Sequence, residues 1–334
     1  MTAVLVVGGA GYIGSHTCKA LAAAGHTPIA LDNMVAGHRE FVRWGPLIVG
    51  DLDDRQLLAR VMEEWGIDAV VHFAAHAAVG ESVRDPARYW RNNVVGSANL
   101  VDAARRVGVD ALVFSSSCAT YGVPVGADAI EESAAQVPIS PYGRTKLVTE
   151  WLLADYAAAY PMRSVALRYF NACGADPDGE IGEDHRDEAH LIPLVAFAAM
   201  GGRPLKVFGD DYDTPDGSAV RDYIHVSDLA IAHVSAVDYL LEGGPSDAFN
   251  LGTGTGTSVF GILNQARAIL RRQVPHVVVE RRPGDPPSLV ANAGRAERVL
   301  GFRPRHSDMR TILDTAFRWH AERHPFEAVR AMTG

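Results

Sequence analysis

A chain of 334 residues with 48% hydrophobic content can fill one large α/β domain, or two that share an interface, around ample core. Its formal net charge of −9 argues against a nucleic-acid or membrane surface, and it means that an anionic ligand must be met by locally placed cations. The three cysteines, Cys18, Cys118 and Cys173, are widely spaced and odd in number, which points to a reduced cytoplasm; no apolar run reaches the ~18 residues of a membrane span, and Met1-Thr2-Ala3 leads into a strand with no targeting segment.

Val4-Leu5-Val6-Val7 reads as a buried strand that stops at Gly8-Gly9-Ala10-Gly11-Tyr12-Ile13-Gly14, ahead of a helical pattern over 16–24. The glycines fit both Gly-x-Gly-x-x-Gly (Gly9, Gly11, Gly14) and Gly-x-x-Gly-x-x-Gly (Gly8, Gly11, Gly14). Either pattern permits a tight turn and close approach of a pyrophosphate to the positive end of a helix. A second strand, Pro28-Ile29-Ala30-Leu31, ends in Asp32-Asn33, at the spacing expected of a carboxylate that binds an adenosine ribose. An acid there favours NAD over NADP, because a 2′-phosphate would be repelled.

Strand-like runs follow at Leu47-Ile48-Val49, Ala69-Val70-Val71-His72-Phe73 and Ala111-Leu112-Val113-Phe114, with helical stretches between them. The alternation predicts an α/β fold with a doubly wound parallel sheet, whose ligands lie outside the carboxyl ends of the strands. Asp51 with its neighbour Leu52, and Phe73, Ala74 and Ala75, therefore belong to a cofactor rim, with Asp51 a candidate for the adenine amino group.

Two further features complete a chemistry. Ser115-Ser116-Ser117 ends the fifth strand, so at least one hydroxyl faces the same crevice. Tyr142 and Lys146 stand at i and i+4, neighbours on a helical surface, and a nearby ammonium lowers the pKa of a phenol towards that of a usable base. Together with the glycine loop and Asp32, these residues form the constellation of a short-chain dehydrogenase/reductase.

On these residues the chain resembles the extended short-chain dehydrogenase/reductases, and among them the UDP-glucose 4-epimerase family, through nearly its whole length. The more specific segments are Arg168-Tyr169-Phe170-Asn171, Arg221-Asp222-Tyr223-Ile224-His225-Val226 and Arg281-Arg282-Pro283-Gly284-Asp285. The resemblance implies a Rossmann-type fold with a smaller, discontinuous α/β substrate domain. The dinucleotide domain would take 1–170 and 218–248, the substrate domain 171–217 and 249–334. It implies Ser117, Tyr142 and Lys146 as the catalytic group. Gly8, Gly11, Tyr12, Ile13, Gly14, Asp32, Asn33, Asp51, Leu52, Phe73, Ala74, Ala75, Asn92, Ser115, Tyr169 and Phe170 would line NAD. Tyr142 and Lys146 would reach the cofactor too, and Ser117 and Tyr142 the substrate.

The second half reads as a grip for a UDP-sugar. By resemblance Asn171, Arg221 and Arg282 meet the phosphates, since guanidinium forks suit phosphate oxygens. Asp285 holds the uridine ribose, and Lys206-Val207-Phe208 passes the uracil. His190, before Leu191, stands where the family often has an amide side chain near the phosphates. No metal is expected, because none of the thirteen histidines joins a cluster with ligand spacing.

The resemblance implies reversible inversion at C4 of a UDP-hexose: Tyr142 takes the O4 proton while the C4 hydride passes to NAD, giving a 4-keto sugar and NADH, and the sugar turns before the hydride returns. The enzyme must then hold UDP firmly and the hexose loosely. A homodimer is expected through helices flanking the sheet, one of them bearing Tyr142. Two positions depart from the pattern. Ala77 stands where some relatives carry a cofactor-contacting lysine, and Leu289 stands where a tyrosine excludes an N-acetyl group and a small residue admits it. A nucleotide-sugar dehydratase is the nearest alternative, but Cys118-Ala119 follow Ser117 where an Asp-Glu pair would be needed. A non-catalytic dinucleotide sensor is a second, from which the retained Tyr142 and Lys146 argue away.

Overall fold

The computed structural model describes residues 2–124, 126, 129–282 and 284–324, so Pro283 of the Arg281–Asp285 motif and the stretch 325–334 lie outside the described residues. The five apolar runs read as strands pair, together with Arg163–Tyr169 and Asp247–Leu251, into a seven-stranded sheet, all parallel, in the order Asp247–Leu251, Arg163–Tyr169, Ala111–Ser115, Ala69–His72, Ala3–Val7, Thr27–Asp32, Leu47–Val49. Val4, Leu5, Val6 and Val7 are wholly buried, as a strand covered on both faces requires. One face packs on the helices Tyr12–Ala23 and Val226–Leu241 through Leu21, Leu229 and Val237. The other packs on Arg55–Glu64, Gly96–Val107 and Pro141–Ala159 through Leu58, Leu100 and Leu153. This is the Rossmann-type doubly wound arrangement, and the strand order reverses between Ala3–Val7 and Ala69–His72. A ligand crevice opens there.

The first helix begins at Tyr12 rather than at the 16 of the apolar pattern. Gly14 lies inside it, where a Cβ would stand 2.1 Å from the Gly8 carbonyl oxygen, so only glycine lets the helix start this close to the strand. A second departure is the π-helical turn Trp90–Val95, between Pro86–Tyr89 and Gly96–Val107. It turns Asn93 inward: the amide accepts from His76 N at 2.9 Å and donates to His76 O at 3.0 Å and Thr145 Oγ1 at 3.1 Å. The helix that carries Tyr142 is thereby tied to the loop after the fourth strand.

The smaller unit is built around Val220–His225, which pairs in parallel with Asn171–Cys173 and Ser288–Leu289 and antiparallel with Gly256–Ser258. Leu205–Phe208 and His276–Val279 form a separate parallel pair. Ile192, Val207, Ile262 and Leu313 fill the core beneath them. Residues 218–248 therefore divide, with the strand joining the smaller sheet and the helix Val226–Leu241 joining the larger one, whose edge strand Asp247–Leu251 crosses residue 248.

Candidate active site

Gly8 leaves the first strand with φ +85°, in the left-handed region, and a Cβ on it would lie 2.8 Å from the Ala74 nitrogen. Gly11 caps the helix Tyr12–Ala23 without a side-chain bond, no acid stands in the first turn, and the nearest atom to a Cβ on Gly11 would be Gly8 O at 3.4 Å. The positive end of this helix thus faces open space, as anion binding requires. Asp32 is nearly buried at the end of the second strand, and its carboxylate accepts from Ala10 N at 3.0 Å and Met34 N at 2.9 Å. Burial raises its pKa against those bonds. A carboxylate with two bonds made has lone pairs left for ribose hydroxyls. Asn33 Nδ2 donates to Asp51 at 2.8 Å, which fixes both on the rim.

Other rim residues divide by side chain and backbone. Ala74 N donates to Val7 O at 3.0 Å, and Ala74 and Ala75 are half-buried, leaving room for a ligand against the chain. The Leu52 side chain is buried in the core shared with Leu58 and Leu100, Phe73 packs on His233 with ring centroids 4.6 Å apart, and Ile13 packs on the first core. These offer a cofactor mainly their backbone. Tyr12 Oη donates to Gly174 O at 2.6 Å, so its hydroxyl clips the glycine loop to the smaller unit. Asn92 donates to Asn93 Oδ1 at 2.9 Å.

At the carboxyl end of the fifth strand, Ser117 Oγ accepts from Ala119 N at 3.1 Å, and its hydroxyl favours ionisation of the Tyr142 phenol. Ser140 caps the helix Pro141–Ala159 by accepting from Gly143 N, which sets Tyr142 in the first turn. Lys146 Nζ donates to Ser115 O at 2.7 Å and lies 5.8 Å from the centroid of the Tyr142 ring. Ser115 Oγ in turn donates to the Tyr169 hydroxyl at 2.9 Å. Burial pulls the Lys146 ammonium down to about 7, against the charge of Glu150. Burial also pushes the Tyr142 phenol well above its ordinary value, with Tyr169 adding to the rise and the Ser117 hydroxyl opposing it. The i, i+4 spacing predicts a phenol lowered by Lys146; desolvation dominates instead, and the ammonium is turned to the Ser115 carbonyl.

On the substrate side, Asn171 Nδ2 donates to Asp222 O at 3.1 Å. Arg221 Nη2 pairs with Asp285 at 2.5 Å, so two residues assigned to phosphate and ribose are engaged with each other. Arg282 lies over the Phe208 ring at 3.9 Å. Lys206 is exposed, whereas Val207 is a core side chain. Phe170 is buried with Tyr121, Ile130 and Ala291, and Cys118 and Leu289 pack on the same group. Burial pushes the Cys118 thiol up to about 12, with Arg221 and Ser117 opposing, so it stays protonated. His190, beside the half-buried Leu191, bonds Glu183 at 2.7 Å and Glu188 at 3.0 Å. Although burial acts downward, those carboxylates lift it to about 10.

The NAD dependent epimerase/dehydratase family matches residues 4–252. The chain belongs to that family. The UDP-glucose 4-epimerase of Rhizobium meliloti is 54% identical over 322 residues, covering 96% of this chain and 98% of the relative. The crystal structure of UDP-glucose 4-epimerase from Brucella ovis in complex with NAD matches with TM-score 0.93 at 54% identity, covering 95% of this chain and 98% of that one. The enzyme from Stenotrophomonas maltophila, with bound NAD and formylated UDP-arabinopyranose, matches with TM-score 0.94 at 40% identity, covering 97% and 99%.

Arg168 and Asp222 lie in segments that carry the resemblance, yet the sequence assigns them no role, and Glu150 is not marked by it. Arg168 and Glu150 form an ion pair at 2.6 Å with both side chains 8% exposed, and Glu150 also accepts from Ser116 Oγ at 2.5 Å, bracing the serine run from behind. Asp222 is wholly buried and accepts from Thr253 N, Thr253 Oγ1, Gly254 N and Ala291 N at 2.7–3.1 Å, joining three segments of the smaller unit. Their partners are far apart in the chain, so no local spacing shows either contact. His185 and His190 also meet, with Glu183 and Glu188, against the expectation that no histidines cluster.

Proposed function

We propose that the chain catalyses reversible C4 epimerisation of a UDP-hexose, UDP-glucose to UDP-galactose, with NAD as a resident cofactor. The observation that carries this reading is the convergence of Ser117, Tyr142 and Lys146 at the strand ends beside the glycine loop, in a chain 54% identical to a UDP-glucose 4-epimerase over nearly its full length. The cradle fits NAD: the open helix end at Gly11 would receive the phosphates, and Asp32 keeps acceptors for a ribose. Tyr142 and Lys146 would hold the nicotinamide ribose, with Phe170 beside the ring.

Bound NAD supplies a reversible hydride acceptor for C4 of the sugar and, when oxidised, a positive charge within the pocket. Tyr142 takes the O4 proton as the C–H bond breaks, leaving a 4-keto sugar, and returns that proton when C4 is reduced on its opposite face. Ser117 holds the same hydroxyl. Because burial alone raises the phenol, Tyr142 ionises readily only when cations in the closed pocket offset its desolvation. Lys146 is anchored for this on Ser115 O. Arg221, Arg282, Asp285 and Asn171 hold the nucleotide, so the sugar is free to turn and the intermediate stays bound.

Elimination of water on this fold needs another acid/base pair, and the protonated Cys118 thiol beside Ser117 does not provide one. Tyr142→Phe tests the reading, because it removes one hydroxyl from a buried ring. UDP-galactose turnover is expected to fall by about 10²–10⁴, with the circular dichroism spectrum and bound NAD retained. Undiminished turnover would refute the assignment. Leu289, packed beside Phe170, sets the room at the sugar's 2-position, and parallel assays of UDP-glucose, UDP-N-acetylglucosamine and UDP-glucuronate define the range.

The exposed Val83, Val95 and Trp151, on the helices Val79–Arg84 and Pro141–Ala159 and the turn Trp90–Val95, support a homodimer through this flank. A cytoplasmic setting accords with three free cysteines and with the lack of a helix long and apolar enough to cross a membrane among the described residues.

A further inference from the structure

The segment between Asn171–Cys173 and the helix Leu191–Ala199 has no regular structure, yet it gathers two carboxylates and two imidazoles. One oxygen of Glu183 and of Glu188 and one nitrogen of His185 and of His190 all lie within 4.8 Å of one another. His185 Nδ1 is 3.3 Å from each carboxylate, and His190 Nδ1 is 2.7 Å from Glu183 and 3.0 Å from Glu188. We propose that Glu183, His185, Glu188 and His190 form a binding site for a divalent transition cation of the Zn²⁺ class, one donor atom from each side chain.

Four donors at metal–ligand distances of 2.0–2.2 Å around a tetrahedral ion stand about 3.4 Å apart. The four imidazole–carboxylate contacts at 2.7–3.3 Å thus need to open only by tenths of an ångström, and the carboxylate–carboxylate and imidazole–imidazole pairs already lie within 4.8 Å. Two carboxylates and two neutral imidazoles balance the charge of a dication. Binding releases the protons that the two imidazoles hold against Glu183, whose side chain is 3% exposed, and against Glu188, and the dication takes over their neutralisation. Mixed nitrogen and oxygen donors select transition metals such as zinc over magnesium or calcium, which take oxygen ligands.

The donors are also held in place. Trp319 Nε1 donates to Glu183 O at 2.8 Å, Arg323 pairs with Asp184 at 2.7 Å, and a Cβ on Gly182 would collide with the Trp319 ring. The other acidic group of this segment, Asp176, Asp178 and Glu180, differs, because Lys19 Nζ already occupies its centre at 2.7–2.8 Å. His185 lies edge-on to Tyr12, ring centroids 6.5 Å apart, and Tyr12 bonds Gly174. A cation here braces the seam between the glycine loop and the smaller unit.

The test uses the full-length protein, stripped with a chelator, incubated with micromolar Zn²⁺ and desalted before elemental analysis, with Co²⁺ in a parallel sample for its visible bands. We expect one Zn²⁺ per chain, a raised thermal midpoint and the intense bands of four-coordinate Co²⁺. His185→Ala/His190→Ala, both on the accessible side, should weaken binding by more than the ~10–100-fold that loss of one outer partner costs, and should remove the thermal gain. Glu188→Gln, which keeps the side-chain volume, is the check if the double variant does not fold. Zinc below one tenth of an equivalent in the native chain, or equal retention by a folded variant, would overturn the proposal.

Discussion

Lys146 donates to the Ser115 carbonyl oxygen at 2.7 Å rather than to the Tyr142 phenol four residues before it. The bond ties the helix Pro141–Ala159 to the end of the fifth strand and fixes the ammonium where burial brings it down to about 7. Lys146→Met is therefore expected to lower UDP-galactose turnover by about 10²–10⁴. Lys146→Arg should not restore it, because a rigid guanidinium fork does not fit a site 3% exposed. Steady-state rates beside circular dichroism check both.

Asp32 bears on cofactor choice. Asp32→Asn keeps an acceptor for Ala10 N or Met34 N but removes the charge. Charge-assisted bonds are worth about 1.5–3 kcal/mol. NAD binding should weaken by about 10–100-fold, with NADP weakened less or improved, as followed by titration of the stripped enzyme with each nucleotide. Equal losses for both would remove the role given to this carboxylate.

The Arg168–Glu150 pair is a stability prediction. Glu150→Gln leaves a guanidinium buried without its counter-charge, which costs about 3–5 kcal/mol. The urea midpoint should fall accordingly, and Glu150→Gln/Arg168→Met should recover part of the loss. Because Glu150 also accepts from Ser116, the single variant should lower kcat more than it raises KM.

Buried histidines set the acid limit. Desolvation lowers His16, His225 and His233 to about 4 and His72 to about 3. Between these values and the unfolded value near 6.5, the unfolded chain holds the extra protons, so stability is full above about 6.5 and falls as pH drops towards 4. His233→Phe removes one such group, together with a ring nitrogen left without a partner. The slope of unfolding free energy against pH over this window should lessen by about one proton, or ~1.4 kcal/mol per pH unit. His185 and His190 act with the opposite sign. Hydrogen bonds and charge from Glu183 and Glu188 outweigh burial and raise them to about 9 and 10, so their contribution is full below 6.5 and lost as pH rises through those values.

Much of the frame was legible in the chain, because it rests on patterns that one strand or one helix carries by itself. β-branched runs such as Val4-Leu5-Val6-Val7 mark strands buried on both faces, and Gly14 is required by its contact with Gly8 within the same βα unit. Asp32 and the Tyr142/Lys146 pair have fixed spacings set by strand length and helical pitch. Five of the seven strands follow from that regularity; the edge pair Arg163–Tyr169 and Asp247–Leu251, and the strand order that opens the crevice between the first and fourth, come from the tertiary structure.

What only the tertiary structure decided depends on where separate segments meet. The Arg168–Glu150 pair, the Asp222 junction with Thr253, Gly254 and Ala291, and the Arg221–Asp285 contact join residues whose separation carries no period. Whether Lys146 faces Tyr142 or Ser115 is settled by the strand beside it, not by helical pitch. The gathering of His185 and His190 with Glu183 and Glu188 arises in a segment with no helix or strand to fix its spacing, held in shape by Trp319, Arg323 and Lys19 from elsewhere in the chain. Periodicity reports how an element faces its neighbours; which side chains they bring to the meeting is a matter of closure in three dimensions.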